Sequence, residues 1–495
     1  MYLSTTGSNN IAIGDTALYS NTTGYWNVAI GYQALEKNVD QGNSVAIGYQ
    51  ALEEATVGNN TAVGTTALTS TTTGTRNVAV GLSALLNNTT GTDNVAMGAY
   101  ALDANTTGIN NIGIGLHALG TSTTASDNTA IGYNVMYSTT TGHTNTAVGA
   151  RALDSNTEGT YNVGVGVDAL GAATTAVRNT AVGAYAMDNI TTGGYNQAFG
   201  YHALGATTTA QHNVAVGYAP LSVNTTGAEN TAVGNYALSA NTTAHQSTAV
   251  GYAALYGNTT GFGNVGLGHA VLYSTTTGDS NTAVGYQSLY ANTTGIENAG
   301  FGRGSLKACT TGSYNTAIGK DAAYTVTTGR FLVCLGSYAR PAAHNTDNEI
   351  AIGYSVVGKG EGTGFINPGG TGAMYAGNNS ASWSTTSDRR IKKNIVNNTT
   401  GLEKINQIQV CNFEYRTKNE IIEDSPELTD VVESAVINKE GTQLGVIAQE
   451  IETILPDVVK TESTGVKSVD PDNLTWYLVN AVKELSAKVA ALEAG

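Results

Sequence analysis

A glycine recurs at Gly14, Gly31 and Gly48, then at Gly64, Gly81 and every seventeenth residue to Gly353. The one irregularity is a residue missing between Gly48 and Gly64. A period held over twenty-one units constrains the fold more than any single motif does. Each unit must be one supersecondary piece that buries its apolar face by stacking on its neighbours.

Within each unit the residue before this glycine is always apolar (Ile13, Val63, Met97, Phe199), and the one before that is always small. Four residues after the glycine, sixteen units carry Leu and two carry Met, Met136 and Met187. Polar turns join the units, commonly Asn-Thr-Thr-Gly as at 21–24 and 224–227. Glycine and threonine at this spacing break helices. A short β-branched stretch followed by such a turn predicts one strand with its corners per unit. The chain is therefore expected to be mainly β, a parallel β-solenoid in which equivalent residues stack into ladders. The always-apolar position is expected to form an internal column, giving a thin core of one Leu and one Val or Ile per layer. Asn stands four residues before the glycine in seventeen units, and a ladder of side-chain amides is expected there. At about 4.8 Å per coil, the coils make a rod on the order of 100 Å long. So slender a column predicts an oligomer.

Segments such as NSVAIG (43–48) resemble the head repeats of trimeric autotransporter adhesins. The resemblance covers most of 8–353 and implies a left-handed parallel β-roll with three chains around an axis. An intertwined triple β-helix is the competing architecture.

Charge marks where the rod ends. Residues 1–386 hold 10 Lys+Arg and 19 Asp+Glu, whereas residues 387–495 hold 12 and 18. This divides the chain into a repeat rod over 1–353, a Gly/Ser-rich stretch over 354–386 and a charged domain over 387–495. The middle stretch carries Phe365, Met374, Tyr375 and Trp383 in a chain with only 6 Phe and 3 Trp. These aromatics either cap the open end of the rod or form a receptor-contacting tip, with Phe365, Tyr375 and Trp383 as its contacts.

The charged part follows STTSDRRIKKNI (384–395), where four basic residues crowd into five positions. Next come a short helical segment, TTGLEKINQIQV, with Thr400 as its cap, a strand in VCNFEYR, and a helix from about 446 to 455 stopped by Pro456. In the last stretch Leu474, Leu478, Val482, Leu485, Val489 and Leu492 recur at steps of 4, 4, 3, 4 and 3. That heptad-like seam predicts pairing with copies of the same helix, and a trimer is the natural expectation.

Three segments, S-D-x-R-x-K (Ser387, Asp388, Arg390, Lys392), GVIAQEIETILPDVV (445–459) and the final AVKEL helix, resemble the intramolecular chaperone domain of phage tail spikes and tail fibres, the endosialidase-type self-cleaving peptidase family. The resemblance implies a small α+β domain that trimerises, guides folding of the β-rich fibre before it and is released by cleavage immediately before the motif serine. Carried onto this sequence, Ser387 is the nucleophile, Lys392 the base and Thr386–Ser387 the bond cut, with Asp388 and Arg390 completing the motif. A serine hydroxyl is a poor nucleophile at neutral pH and needs such a base; lysine serves where desolvation or neighbouring cations lower its pKa. Arg389, Arg390 and Lys393 are those cations. Without the resemblance, Ser-Asp before Arg and Lys reads equally as a helix cap or turn, and the cluster as a solvated face.

Other chemistries find little support. The net charge of −15 offers no basic face for nucleic acid. Seven histidines fall on five phases of the repeat without a metal-binding spacing, and three distant cysteines (Cys309, Cys334, Cys411) form no disulfide framework, so no metal or cofactor is expected. No apolar run is long enough to span a bilayer, and MYLSTTGSNN lacks the features of a signal peptide. The repeated N-T-T is read as turn chemistry, not glycosylation. Scattered acids argue against a glycan depolymerase. The expected function is that of a phage tail fibre in the virion, a homotrimer that joins other tail proteins and binds a glycan or protein receptor on the host surface. A bacterial adhesin and a purely structural spacer are the alternatives. Tyr, present 26 times, would supply sugar-stacking faces or line the contacts between subunits.

Overall fold

Among the described residues each repeat contributes one three-residue strand, from β1 (Ile11–Ile13) to β21 (Ile350–Ile352). Each strand pairs in parallel with the strand one unit later, as Thr231 with Thr248 and Val333 with Ile350. The neighbouring coil thus comes from the same chain, which excludes the intertwined triple helix. β22 (Gly364–Ile366) continues the stack in parallel, and β23 (Met374–Ala376) turns back antiparallel upon it. The structure, a computed structural model, describes residues 3–367, 374–376 (backbone only), 389, 392–426, 440–461 and 466–494. It divides into two compact units, 1–386 and 387–495.

The strands alternate as expected, but with the opposite parity. The small middle residue points inward, fully buried at Ala29, Ala62 and Ala147, while the always-apolar residue before the glycine faces out: Met97 is 44% exposed and Phe199 39%. The predicted internal column of Val and Ile is therefore corrected to an outer column. Space decides the parity. Leu four residues after the glycine is fully buried in every coil that has it, Leu102 and Leu153 among them. A Cβ on the inward Gly113 would already lie 3.2 Å from Cγ and Cδ1 of Leu102. Ala or Gly stands opposite such a leucine, and the larger Cys334 falls where the facing position is Ala323. The buried Cys309 and Cys334 thiols are pushed up to about 12 by desolvation and stay protonated.

The asparagine ladder is present and runs unbroken from Asn60 to Asn230. At Asn145 the side-chain Nδ2 donates to Asn128 Oδ1 (3.3 Å) and to the Gly159 carbonyl (2.8 Å). Its own Oδ1 accepts the backbone N–H (2.9 Å) and Nδ2 (3.2 Å) of Asn162. A second buried column holds the Asn of the N-T-T turns, where Asn105 Nδ2 donates to Asn88 Oδ1 at 2.9 Å. This column is interrupted: the Oδ1 atoms of Asn105 and Asn156 lack a donor where the next coil has Ser122 and Ala173. Burial of these asparagines, Asn224 for one, agrees with turn chemistry at N-T-T.

In most coils three non-glycine residues hold left-handed backbone, as Arg151 (φ 55°), Leu153 (φ 54°) and Tyr161 (φ 59°) do. An L-residue there costs roughly 1–2 kcal/mol. Axial bonds hold the conformation: the Leu153 N–H donates to the Ala169 carbonyl one coil on (3.0 Å), and the Arg151 N–H to Tyr133 one coil back (2.9 Å). The unvarying glycine has φ near +130°, and a Cβ on Gly149 would lie 2.5 Å from the Gly166 carbonyl oxygen. Glu349 takes the asparagine position in the last regular coil and is 1% exposed. Its carboxylate accepts from the N–H of Ala342 (3.0 Å) and Gly360 (2.7 Å), tying two loops to that coil.

The second unit contains α1 (Leu402–Ile405), β24 (Cys411–Phe413), α2 (Lys418–Asp424), β25 (Gln443–Gly445), α3 (Ala448–Ile454), β26 (Val459–Thr461), β27 (Lys467–Val469) and α4 (Pro471–Glu493). α3 ends just before Pro456, as expected. Gly401, not Thr400, occupies the N-cap of α1, without a side-chain cap. α2 was not expected, although Thr417 and Glu420 form its capping box. Ile451, Leu455 and Val458 make a small core against which Leu474 and Tyr477 of α4 pack.

Replacing Asn145 by Ala leaves the buried N–H groups of Asn162 and the Gly159 carbonyl short of a partner, at about 1–3 kcal/mol for each orphaned group. Asn145→Ser is expected to cost less, because Ser247 at the same position still accepts from the Asn264 N–H (3.4 Å). Thermal unfolding of the two variants checks this order; equal stability would remove the ladder from its supporting role.

Candidate cleavage site and the helix behind it

The motif is only partly within view. Thr386, Ser387, Asp388 and Arg390 lie outside the described residues, as does Trp383. Lys392 and Lys393 are exposed in the single chain, and the Lys392 backbone N–H donates to the Arg389 carbonyl (3.2 Å). Lys392 thus stands five residues after Ser387 in a solvated setting, and a lysine needs desolvation to act as a base.

Of the other aromatics assigned to a tip, Tyr375 lies in β23, paired with Phe365 in register. Phe365 is 7% exposed, packs on the core of the coils and has Lys359 Nζ 4.7 Å from its ring centroid. It closes the stack and is not a contact surface. Some tyrosines along the coils stack on one another, Tyr256 on Tyr273 at 5.0 Å and Tyr273 on Tyr290 at 5.2 Å, with planes within 9°, while others meet edge to face, as Tyr218 and Tyr236 do. Rings stacked in this way turn their faces to each other and their edges outward, which serves coil-to-coil packing and withholds the faces a sugar would stack on.

Downstream of Lys392 the chain meets α4. Asn480 Nδ2 donates to the carbonyls of Asn398 (3.0 Å) and Thr400 (3.2 Å), and the Leu402 N–H donates to Glu484 Oε2 (3.2 Å). The Tyr477 hydroxyl donates to Asp457 Oδ2 (2.7 Å), and that bond, with burial, holds its pKa above the ordinary phenol value. At 3.6 residues per turn, Asn473, Tyr477, Asn480 and Glu484 share a side of α4, about a third of a turn round from the predicted seam. The seam itself is open in the single chain, with Val482 65% exposed and Leu485 51%; Leu474 alone is drawn into the unit's core. Asn480, Glu484 and Gly401 were not singled out from the sequence, because the helix was read for its apolar stripe alone. Polar residues at steps of three and four on a different side carried the signal.

α4 begins on Asp470, whose carboxylate accepts from the N–H of Asp472 (3.0 Å) and Asn473 (3.2 Å) and from Lys460 Nζ (2.7 Å). Among the described residues no cluster of side chains could hold a metal ion, and no helix is long and apolar enough to cross a membrane.

The folds define a class: a coil-stacked β-fibre followed by a small module that ends in an open-seamed helix. Residues 387–460, within the second unit, match the peptidase S74 family model, described as the chaperone of endosialidase. No curated protein and no solved structure matches the chain.

The Lys460 hydrogen bond first, then the capping N–H groups, hold the Asp470 carboxyl below its ordinary value. Its contribution to stability is therefore present above the unfolded pKa, about 3.9, and is lost as pH falls through the lowered folded value. Far-UV circular dichroism is expected to show α4 loosening on acidification below about pH 4. Asp470→Asn, which keeps the cap but not the charge, is expected to weaken that acid dependence. An unchanged acid transition in this variant would rule out Asp470 as its source.

Proposed function

We propose that this chain is a phage tail-fibre protein which attaches the virion to a glycan or protein receptor on the host surface. It assembles as a homotrimer, joins other tail proteins, and folds with the help of its own C-terminal unit. The observation that carries the reading is the chaperone-of-endosialidase match beginning at residue 387, later in the same chain than a long parallel coil stack. The division between the two compact units falls at the same bond, Thr386–Ser387.

Two exposed apolar features support assembly. The outer columns of the rod, with Ile131 and Val250 each 38% exposed, repeat at every coil, and covering such a residue contributes roughly 1 kcal/mol. The α4 seam is a second such surface. Three copies would cover both, and would bring subunits together around the motif. The desolvation that Lys392 needs is then supplied by the assembled state and is missing from the single chain.

In the proposed reaction the Ser387 hydroxyl attacks the Thr386 carbonyl carbon as Lys392 takes its proton. The C–N bond breaks with that proton passing to the Ser387 amine, and water hydrolyses the resulting ester to leave a Thr386 carboxylate. Tyr375 and Trp383 stay assigned to the tip of the freed fibre.

Intact-mass measurement is expected to find a fragment beginning at Ser387, absent from Ser387→Ala and strongly reduced in Lys392→Ala. A full-length chain after prolonged incubation would overturn cleavage and leave the chaperone role standing. The freed fibre is expected to bind host cells; failure to bind any surface glycan or protein would reduce it to a spacer.

A further inference from the structure

α4 works on two sides at once, and this joins its assembly to the motif. We infer that Asn480 and Glu484 are positioning residues for self-cleavage: they clamp the segment leading away from Lys392, so that the helix which assembles also aims the motif. The inference rests on the self-cleavage reading above.

The clamp is compact. Within residues 398–402, three hydrogen bonds reach Asn480 and Glu484, side chains 80 to 82 residues further along the chain. Gly401 is buried between them, and a Cβ there would lie 2.4 Å from the backbone nitrogen of Ala481 and 2.8 Å from Glu484 Oε1. Glycine is thus what lets the segment lie flat on the helix. Residues 393–397 are exposed, and at 398–402 the chain leaving Lys392 comes to rest on α4. The same side of α4 carries Tyr477, which packs against the unit's core of Ile451, Leu455 and Val458, while the seam of Leu478, Val482 and Leu485 lies on another side. A rigid helix whose apolar side is fixed by its copies passes that fixed orientation to the clamped segment and so to Lys392. Misplacing a catalytic group by about 1 Å costs on the order of a hundredfold in rate.

The test uses the full-length chain, with cleavage followed by intact mass and assembly by native mass spectrometry. The double variant Asn480→Ala, Glu484→Ala is expected to assemble as the unmodified chain does and to cleave roughly ten to a hundred times more slowly. Glu484→Gln, alone, keeps an oxygen for the Leu402 N–H and is expected to cleave at close to the unmodified rate. Gly401→Ala, which pushes the segment off the helix with both polar side chains in place, is expected to slow cleavage as the double variant does. Cleavage of the double variant at the unmodified rate overturns the inference and leaves self-cleavage intact. Loss of assembly together with cleavage overturns it too, since the clamp would then only hold the fold. An unmodified chain that never cleaves overturns the self-cleavage reading, and the inference with it.

Discussion

Everything in the rod depends on axial register, the bonding of each coil to the next along the stack. The left-handed leucines, the asparagine amides and the three-residue strands all place their hydrogen-bonding groups along the axis, so that no coil satisfies itself. Leu153 bonds one coil forward and Arg151 one coil back, and the Asn145 amide bonds in both directions. A fixed period follows directly, because an inserted residue would shift every ladder at once. The missing residue between Gly48 and Gly64 is tolerated within one turn, and the strands on either side still pair in register, Val45 with Thr61.

Register also explains why a folding module accompanies such a rod. Successive coils are so alike that three copies slipped by one coil would meet almost the same surface, and the rod alone discriminates weakly against that error. In the proposed trimer, a C-terminal unit that gathered three chains by an apolar helix seam would set the register once, before the coils stack. Its proposed removal would leave a fibre whose persistence is kinetic, since the means of refolding would have gone. The clamp of Asn480 and Glu484 on 398–402 would make that removal wait for assembly.

The sequence was most informative where a residue type is demanded by position. The glycine phase, the amide ladder and the strand in each unit were legible, since only glycine reaches φ near +130° at such close approach and a side-chain amide carries two donors and an acceptor, enough to bond along a ladder in both directions. Which strand face lies inside was not legible from apolarity, because Val and Ile suit an interface between chains as well as a core. The unvarying smallness of the alanine position was the better guide, as Leu102 against Gly113 makes plain. In the second unit Pro456 marked a helix end correctly. α2 and the clamp were missed, since their signals, Thr417 with Glu420 and Asn480 with Glu484, are polar pairs with no apolar stripe to draw attention.

The central claim is that the outer apolar columns and the α4 seam are contacts between copies of this chain. The mass of the Ser387→Ala protein in solution tests it most directly, because that variant keeps both units in one chain. Three chains per particle is the expected result, and a folded particle of one chain would contradict it.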